Sequence, residues 1–147
     1  MRTRGFELLS NESDIDLLPI RTTEGAAGYD LKAAKQVTIE PNEMIRVPTG
    51  VKAYMQNDEV VKLYDRSSNY KKLGIVLVNS VGIIDKDYYN NPENEGHIMA
   101  QMKNVTDKPV TIPYGHRFVQ ALFEKYLVAD NDSASGKREG GFGSTNK

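Results

Sequence analysis

The sequence predicts an all-β fold, and three observations carry that prediction. Apolar runs are short and parted by turn formers, the clearest of them alternates residue by residue, and helical periodicity is hard to find in the 147 residues. A chain of this length suits one domain, burying roughly two-thirds of its unfolded surface around a single core.

Taken in chain order, AAGYDLKAA (26–34) reads as a turn entering a strand, and EVVKLYDR (59–66) as a strand with Val61 and Leu63 on one face. SSNYKKLG (67–74) is the one plausible helical turn, opening on serines able to cap it and closing on Gly74. The run IVLVNSVGII (75–84) is apolar on both alternating faces, which predicts a strand covered on both sides by another sheet or another subunit. In HIMAQMKNV (97–105), Ile98, Ala100 and Met102 alternate with polar neighbours, the pattern of a half-buried strand. Prolines 41, 48, 109 and 113 fall at expected strand ends, where a missing N–H does least harm. From Leu127 onward the chain is polar and rich in Gly, Ser, Asp and Asn, unable to build a core of its own. The expected division is therefore a β domain, 1–126, and a flexible arm, 127–147.

Composition narrows the function. With 19 basic and 20 acidic residues the formal charge is −1, so no overall field draws the protein to nucleic acid or to an anionic membrane. No cysteine is present, which removes disulfides, thiolate catalysis and Cys-ligated zinc. No run approaches a bilayer span, and no apolar stretch follows the first arginines, so a cytoplasmic protein is expected. The two histidines, His97 and His116, lack a second ligand at metal spacing.

Four stretches could carry chemistry. In REGGFGSTNK (138–147), glycines 140, 141 and 143 let backbone N–H groups converge on an anion, Ser144 and Thr145 add hydroxyls, and Lys137 or Arg138 adds charge. A disordered tail is the plain alternative, against which Phe142 argues, because an isolated aromatic needs something to pack on. Arg66 before Ser67 and Ser68 suits a phosphate site at a helix start, or equally a capped helix with a surface arginine. Asp85, after VGII, could orient and deprotonate a water at a strand mouth, or simply form a turn. Asp30 could reach a hard cation such as Mg²⁺ through retained water, or shape the turn before its strand.

In order, AGYDLKA, DRSSNYKKLG, NSVGIIDKDY, GHRFVQALF and REGGFGSTNK resemble the five motifs of the trimeric dUTP pyrophosphatases, over residues 27–147. The resemblance implies a jelly-roll-like all-β subunit in a homotrimer, with active sites shared between chains and the C-terminal arm closing over a neighbour. It implies hydrolysis of dUTP to dUMP and pyrophosphate, with Mg²⁺ chelated by the phosphates and reached through water by Asp30. By the same resemblance Asp85 activates the attacking water, Tyr88 packs under the sugar, and Asn79 and the backbone at Met99 read the uracil edge. Phe142 stacks on the base; Arg66, Ser67, Ser68 and Gln120 hold the phosphate chain; and Gly143, Ser144 and Thr145 hold the γ-phosphate.

Three features depart from the family pattern. Arg138 stands four residues before Phe142, and Lys137 occupies the usual arginine position, so either could grip phosphate. Asp65 replaces a glycine or proline beside the phosphate site, an unfavourable place for a carboxylate unless it is paired. The segment YNNPENEGHI carries a longer hairpin than the family's, and residues 89–96 could meet a protein partner. Other readings are a nucleotide-switched regulator, the related dCTP deaminase branch, and an inactive trimeric module.

Overall fold

In a computed structural model describing residues 2–143 and Thr145, the alternation of HIMAQMKNV becomes a strand that buries Ala100 and Met102, with Ile98 buried just before it. The described strands are β1 (Gly5–Leu8), β2 (Tyr29–Lys32), β3 (Val37–Ile39), β4 (Met44–Pro48), β5 (Val51–Tyr54), β6 (Glu59–Asp65), β7 (Ile75–Leu77), β8 (Val81–Ile84), β9 (Met99–Asn104), β10 (Val110–Ile112) and β11 (Arg117–Lys125). Every ladder is antiparallel: β2-β11-β6-β8 form one sheet, β4-β9-β7 a second, and β1-β5 and β3-β10 make two ribbons. Val61 and Leu63 of β6, Phe118 and Ala121 of β11, Val47 of β4 and Met102 of β9 join one continuous core, so the sheets pack as layers of a single all-β, jelly-roll-like domain. The four prolines stand where expected: Pro48 ends β4, Pro109 and Pro113 bracket β10, and Pro41 lies just before β4.

The doubly apolar run corrects one expectation. IVLVNSVGII is two short strands, β7 and β8, joined by a turn in which Ser80 takes φ 62° and the Val81 N–H donates to the Asn79 carbonyl at 2.6 Å. The Asn79-Ser80 pair supplies the left-handed turn geometry that an apolar-pattern reading passes over. Because β7 pairs with β9 and β8 with β6, this turn carries the chain from one sheet to the other. It leaves Val78 and Ile83 largely exposed.

The helical turn forms, but not as the serines predicted. Residues 69–73 coil as a π turn closed by Gly74 at φ 70°, whose N–H reaches the carbonyls of Asn69 and Tyr70, and Ser68 makes no capping bond. The organising group is Asp65. Its carboxylate accepts from the Arg66 N–H at 3.1 Å, the Asn69 amide at 2.6 Å and the Leu77 N–H at 2.9 Å, while the same buried amide donates to the Phe118 carbonyl. One carboxylate thus ties the end of β6, the turn and β7 together, and the charge that looked misplaced is paired. Among the described residues no helix is long and apolar enough to cross a membrane.

Asp65→Ala is expected to cost about 2–4 kcal/mol, because several buried donors lose a charged acceptor at once. Denaturant unfolding measures it against Asp58→Ala, whose exposed pairing with Lys125 predicts a loss below about 1 kcal/mol.

Candidate functional site

The sequence-chosen residues fall into two groups on opposite faces of β6, where the successive residues Leu63 and Tyr64 line one pocket each. On one face Asn79, Asp85, Tyr88, Met99, Arg138 and Phe142 line a cavity of about 180 Å³ floored by Leu63 and Gly82. Apolar cavities of about that size admit a single six-membered ring. On the other face Asp30, Arg66, Ser67 and Gln120 line a second pocket, with Tyr64, Asp65, Ala27 and Gly28. No residue lines both. Val61 pairs with Ile84, so Asp85 stands level with Val60, and Arg66 lies six residues further along β6. At about 3.3 Å per residue their backbones are about 20 Å apart.

Around the first cavity, Asp85 emerges where β8 ends and a 3-10 turn, Lys86–Tyr88, begins. Its side chain is half exposed and bonds to Arg138 at 2.5 Å; the same guanidinium holds Asp87 at 2.7 Å. Arg138 itself is mostly covered, whereas Lys137 is exposed and makes no such contact among the described residues, so Arg138 is the cation turned toward the cavity. Tyr88 is 6% exposed and forms a wall. Burial raises its hydroxyl above the ordinary tyrosine range, which keeps it protonated.

The arm returns to its own chain's cavity. After an exposed stretch, 125–137, the Glu139 carbonyl accepts from the Glu93 N–H at 3.2 Å, and the next two residues press on neighbours that leave no room for a side chain. A Cβ on Gly140 would lie 1.5 Å from the Glu93 carboxylate, and one on Gly141 would lie 2.5 Å from Cε1 of the Tyr88 ring. Phe142 then turns back at φ 52°, a conformation costing a non-glycine residue about 1–2 kcal/mol. Its ring meets the Arg46 guanidinium at 3.9 Å, a cation–π contact that offsets part of that cost. Phe142 therefore has the packing partner its isolation demanded. Gly143 takes φ 92° and, like Thr145, is exposed, while Ser144 lies outside the described residues.

In the second pocket Asp30 sits between Arg66 and Arg117, 3.5 Å from each. Arg66 also donates to the Arg117 carbonyl at 2.8 Å, and Gln120 donates to the Asp65 carbonyl at 3.1 Å. Ser67 is exposed at the pocket rim and Ser68 is half-buried. Two guanidiniums, a hydroxyl and a carboxamide around one carboxylate suit an anion that arrives with a cation of its own. Among the described residues no cluster of three acidic or histidine side chains could cage a metal alone. A single carboxylate is the donor set of a Mg²⁺ ion held mainly by substrate phosphates and water.

Sequence reasoning passed over Arg46, Asp87, Arg117 and the internal bonding of 89–96. Their signals are weak because exposed arginines and loop asparagines are common; only the fold brings them to the cavities. The longer hairpin turns several of its polar groups inward. Glu95 is held down to about 2 first by Lys52, 2.7 Å away, and then by Ser10. Lys52 also reaches Asn90 at 2.6 Å.

A family model described as dUTPase matches residues 16–146. The chain is 54% identical to the deoxyuridine 5′-triphosphate nucleotidohydrolase of Lactococcus lactis over 99% of both chains. It is 38% identical to that of Actinobacillus pleuropneumoniae over 88% of this chain and 87% of the other. The crystal structure of a dUTPase from Streptococcus mutans superposes with a TM-score of 0.85 at 57% identity, covering 86% of this chain and 99% of that one. A dUTPase from phage phi11 of S. aureus shares the fold at 20% identity, with a TM-score of 0.74 over 92% and 97% of the two chains.

Gly141→Ala is expected to lift the arm without unfolding the domain, because the added methyl meets a rigid ring rather than a flexible side-chain end. Limited trypsin digestion should cut at Lys137 and Arg138 faster than in the parent chain, while the melting temperature moves little. Equal cutting rates would mean that the arm does not rest on Tyr88.

Proposed function

The chain belongs to the dUTPase family and hydrolyses dUTP, and on that premise we propose how its residues divide the work. The observation that carries the proposal is the pairing of a one-ring cavity, bearing a half-exposed carboxylate and an aromatic, with a separate anion pocket on the same chain. The cavity receives the uracil ring. Asn79 and the Met99 backbone meet its polar edge, and Phe142 covers its face with Arg46 behind the phenyl ring. Tyr88 packs under the sugar, where a ribose 2′-OH finds no room.

Asp85 is the general base. It takes a proton from a water as the water oxygen bonds to the α-phosphorus; the bond from that phosphorus to the bridging oxygen breaks, leaving dUMP and pyrophosphate. Arg138 has two roles in sequence. Before substrate arrives it neutralises Asp85 and Asp87, and when a triphosphate enters it transfers to phosphate oxygens, a bidentate partner of higher charge. That exchange frees the base as the arm closes. Gly143, Ser144 and Thr145 complete the γ-phosphate cradle.

Arg66, Ser67, Ser68 and Gln120 stabilise the charge that builds on departing pyrophosphate. Asp30, through water, would hold a Mg²⁺ ion brought in with the triphosphate, and that ion would supply positive charge against the phosphates. Because the two pockets open on opposite faces of β6, with Leu63 in one and Tyr64 in the other, one triphosphate does not reach from the base cavity to the anion pocket of the same chain. A cyclic trimer that sets one chain's cavity against its neighbour's anion pocket completes each site, and the exposed Val78 and Ile83 supply apolar surface for it. The arm, 127–147, is the lid: once the exchange releases it from its own cavity, its exposed stretch of residues 127–137 can extend about 36 Å, enough to close over a neighbour's cavity.

The test is pyrophosphate release from dUTP, dCTP, dTTP and UTP, each with Mg²⁺ and with chelator. Selective, Mg²⁺-stimulated release from dUTP is expected. In the same assay Asp85→Asn should lower kcat by roughly 10²–10⁴-fold with dUTP affinity nearly unchanged, since only the base is lost. Turnover near the parent level in that variant would remove Asp85 from the mechanism.

A further inference from the structure

The Tyr88 hydroxyl is bonded on both sides. It donates to the His97 carbonyl at 2.5 Å and accepts from the Asn94 side-chain amide at 2.9 Å. Asn94 belongs to the longer hairpin, and its other atom serves the loop itself. The Asn94 Oδ1 accepts from the Asn91 amide at 2.8 Å and from the Gly96 N–H at 3.0 Å. Asn91, 5% exposed, closes the circuit: its amide also donates to the Tyr88 carbonyl at 2.7 Å, and its Oδ1 accepts from the N–H groups of Glu93 and Asn94. Beneath them, the His97 ring accepts from the Gly50 N–H at 3.0 Å, which fixes the strand end that carries the acceptor carbonyl.

A tyrosine ring free at its hydroxyl end can tilt; one held at both hydroxyl positions is a fixed wall. Steric rejection of a single extra hydroxyl depends on such a wall, because a pocket that yields by a fraction of an ångström admits the larger sugar. We propose that Asn94 is a positioning residue for sugar selection: its amide locks the Tyr88 ring and so sets the preference for a deoxyribose over a ribose nucleotide. The 89–96 hairpin is then an internal brace for the catalytic cavity. Its Asn90, Glu95 and Asn94 side chains bond to Lys52, Ser10 and Tyr88, and its Glu93 backbone N–H meets the arm at the Glu139 carbonyl. This inference rests on the reading that Tyr88 lies under the sugar.

The experiment measures kcat/KM for dUTP and for UTP in the full chain, Asn94→Asp, Tyr88→Phe and the double variant, with a melting curve for each. Asn94→Asp keeps the Oδ1 acceptor that the loop needs and removes only the donor facing Tyr88. The hydroxyl has one proton for two acceptors and must release the His97 carbonyl or leave the new carboxylate unpaired. The dUTP-to-UTP preference should fall about tenfold, the factor one hydrogen bond's orientation carries. Tyr88→Phe should lower the preference alike, and Asn94→Asp should then add nothing further, because the coupling runs through the hydroxyl. An unchanged preference in Asn94→Asp, or an equal additional fall in the Tyr88→Phe background, overturns the inference. If Asn94→Asp does not fold, an unchanged preference in Tyr88→Phe overturns it instead. Failure of the parent chain to hydrolyse dUTP would reject the functional reading itself, a distinct result.

Discussion

The constraint on which the rest depends is the two-sidedness of β6. Successive residues of a strand point to opposite faces, so Leu63 lines the ring-sized cavity and Tyr64 the second pocket, and the ladders to β8 and β11 hold that alternation in register. The proposed mechanism therefore brings the groups that meet one small substrate together from two chains, and the same association covers Val78 and Ile83. The Asn79-Ser80 turn moves the chain between the sheets at the cavity that the proposal gives to the base.

Charge is distributed to suit that division. Beside the ring-sized cavity two carboxylates share one arginine brought by the arm; beside the second pocket two arginines flank Asp30. With a net formal charge of −1, attraction for a triphosphate has to be local, and the proposed mechanism assigns it to Arg66, Arg117 and Arg138. The arm as it lies pairs Arg138 with Asp85, and in the proposed mechanism a triphosphate draws that guanidinium away, which links arm movement, phosphate recognition and activation through one side chain. The hairpin supports this from behind, bracing the Tyr88 wall and meeting the arm through Glu93.

Much of this was legible in the sequence, and what was not has physical causes. The strict alternation of β9 and the proline positions read correctly because period-2 burial and a missing N–H are local properties. The C-terminal motif announced itself through glycines that prove to be contact points. The run 75–84 misled because hydrophobicity reports burial, not direction, and a two-residue turn inside it leaves the pattern intact. The serines of 67–68 looked like caps, yet the task went to Asp65 and Asn69, whose partners lie on β7 and β11 and have no local signature. Arg46 and Asn94 were invisible for the same reason: their meaning lies in contacts 96 and 6 residues away along the chain, with Phe142 and Tyr88.

The most direct test of the account is complementation between two inactive variants. Asp85→Asn loses the base on one pocket and Arg66→Ala loses the phosphate grip on the other. Each should be nearly inactive alone, but after unfolding and refolding together in equal amounts, random assembly should restore about one quarter of the parent's dUTP hydrolysis, because some sites then combine two intact halves. Activity that stays at the level of the separate variants would mean that each site is complete within a single chain, and the account would be wrong.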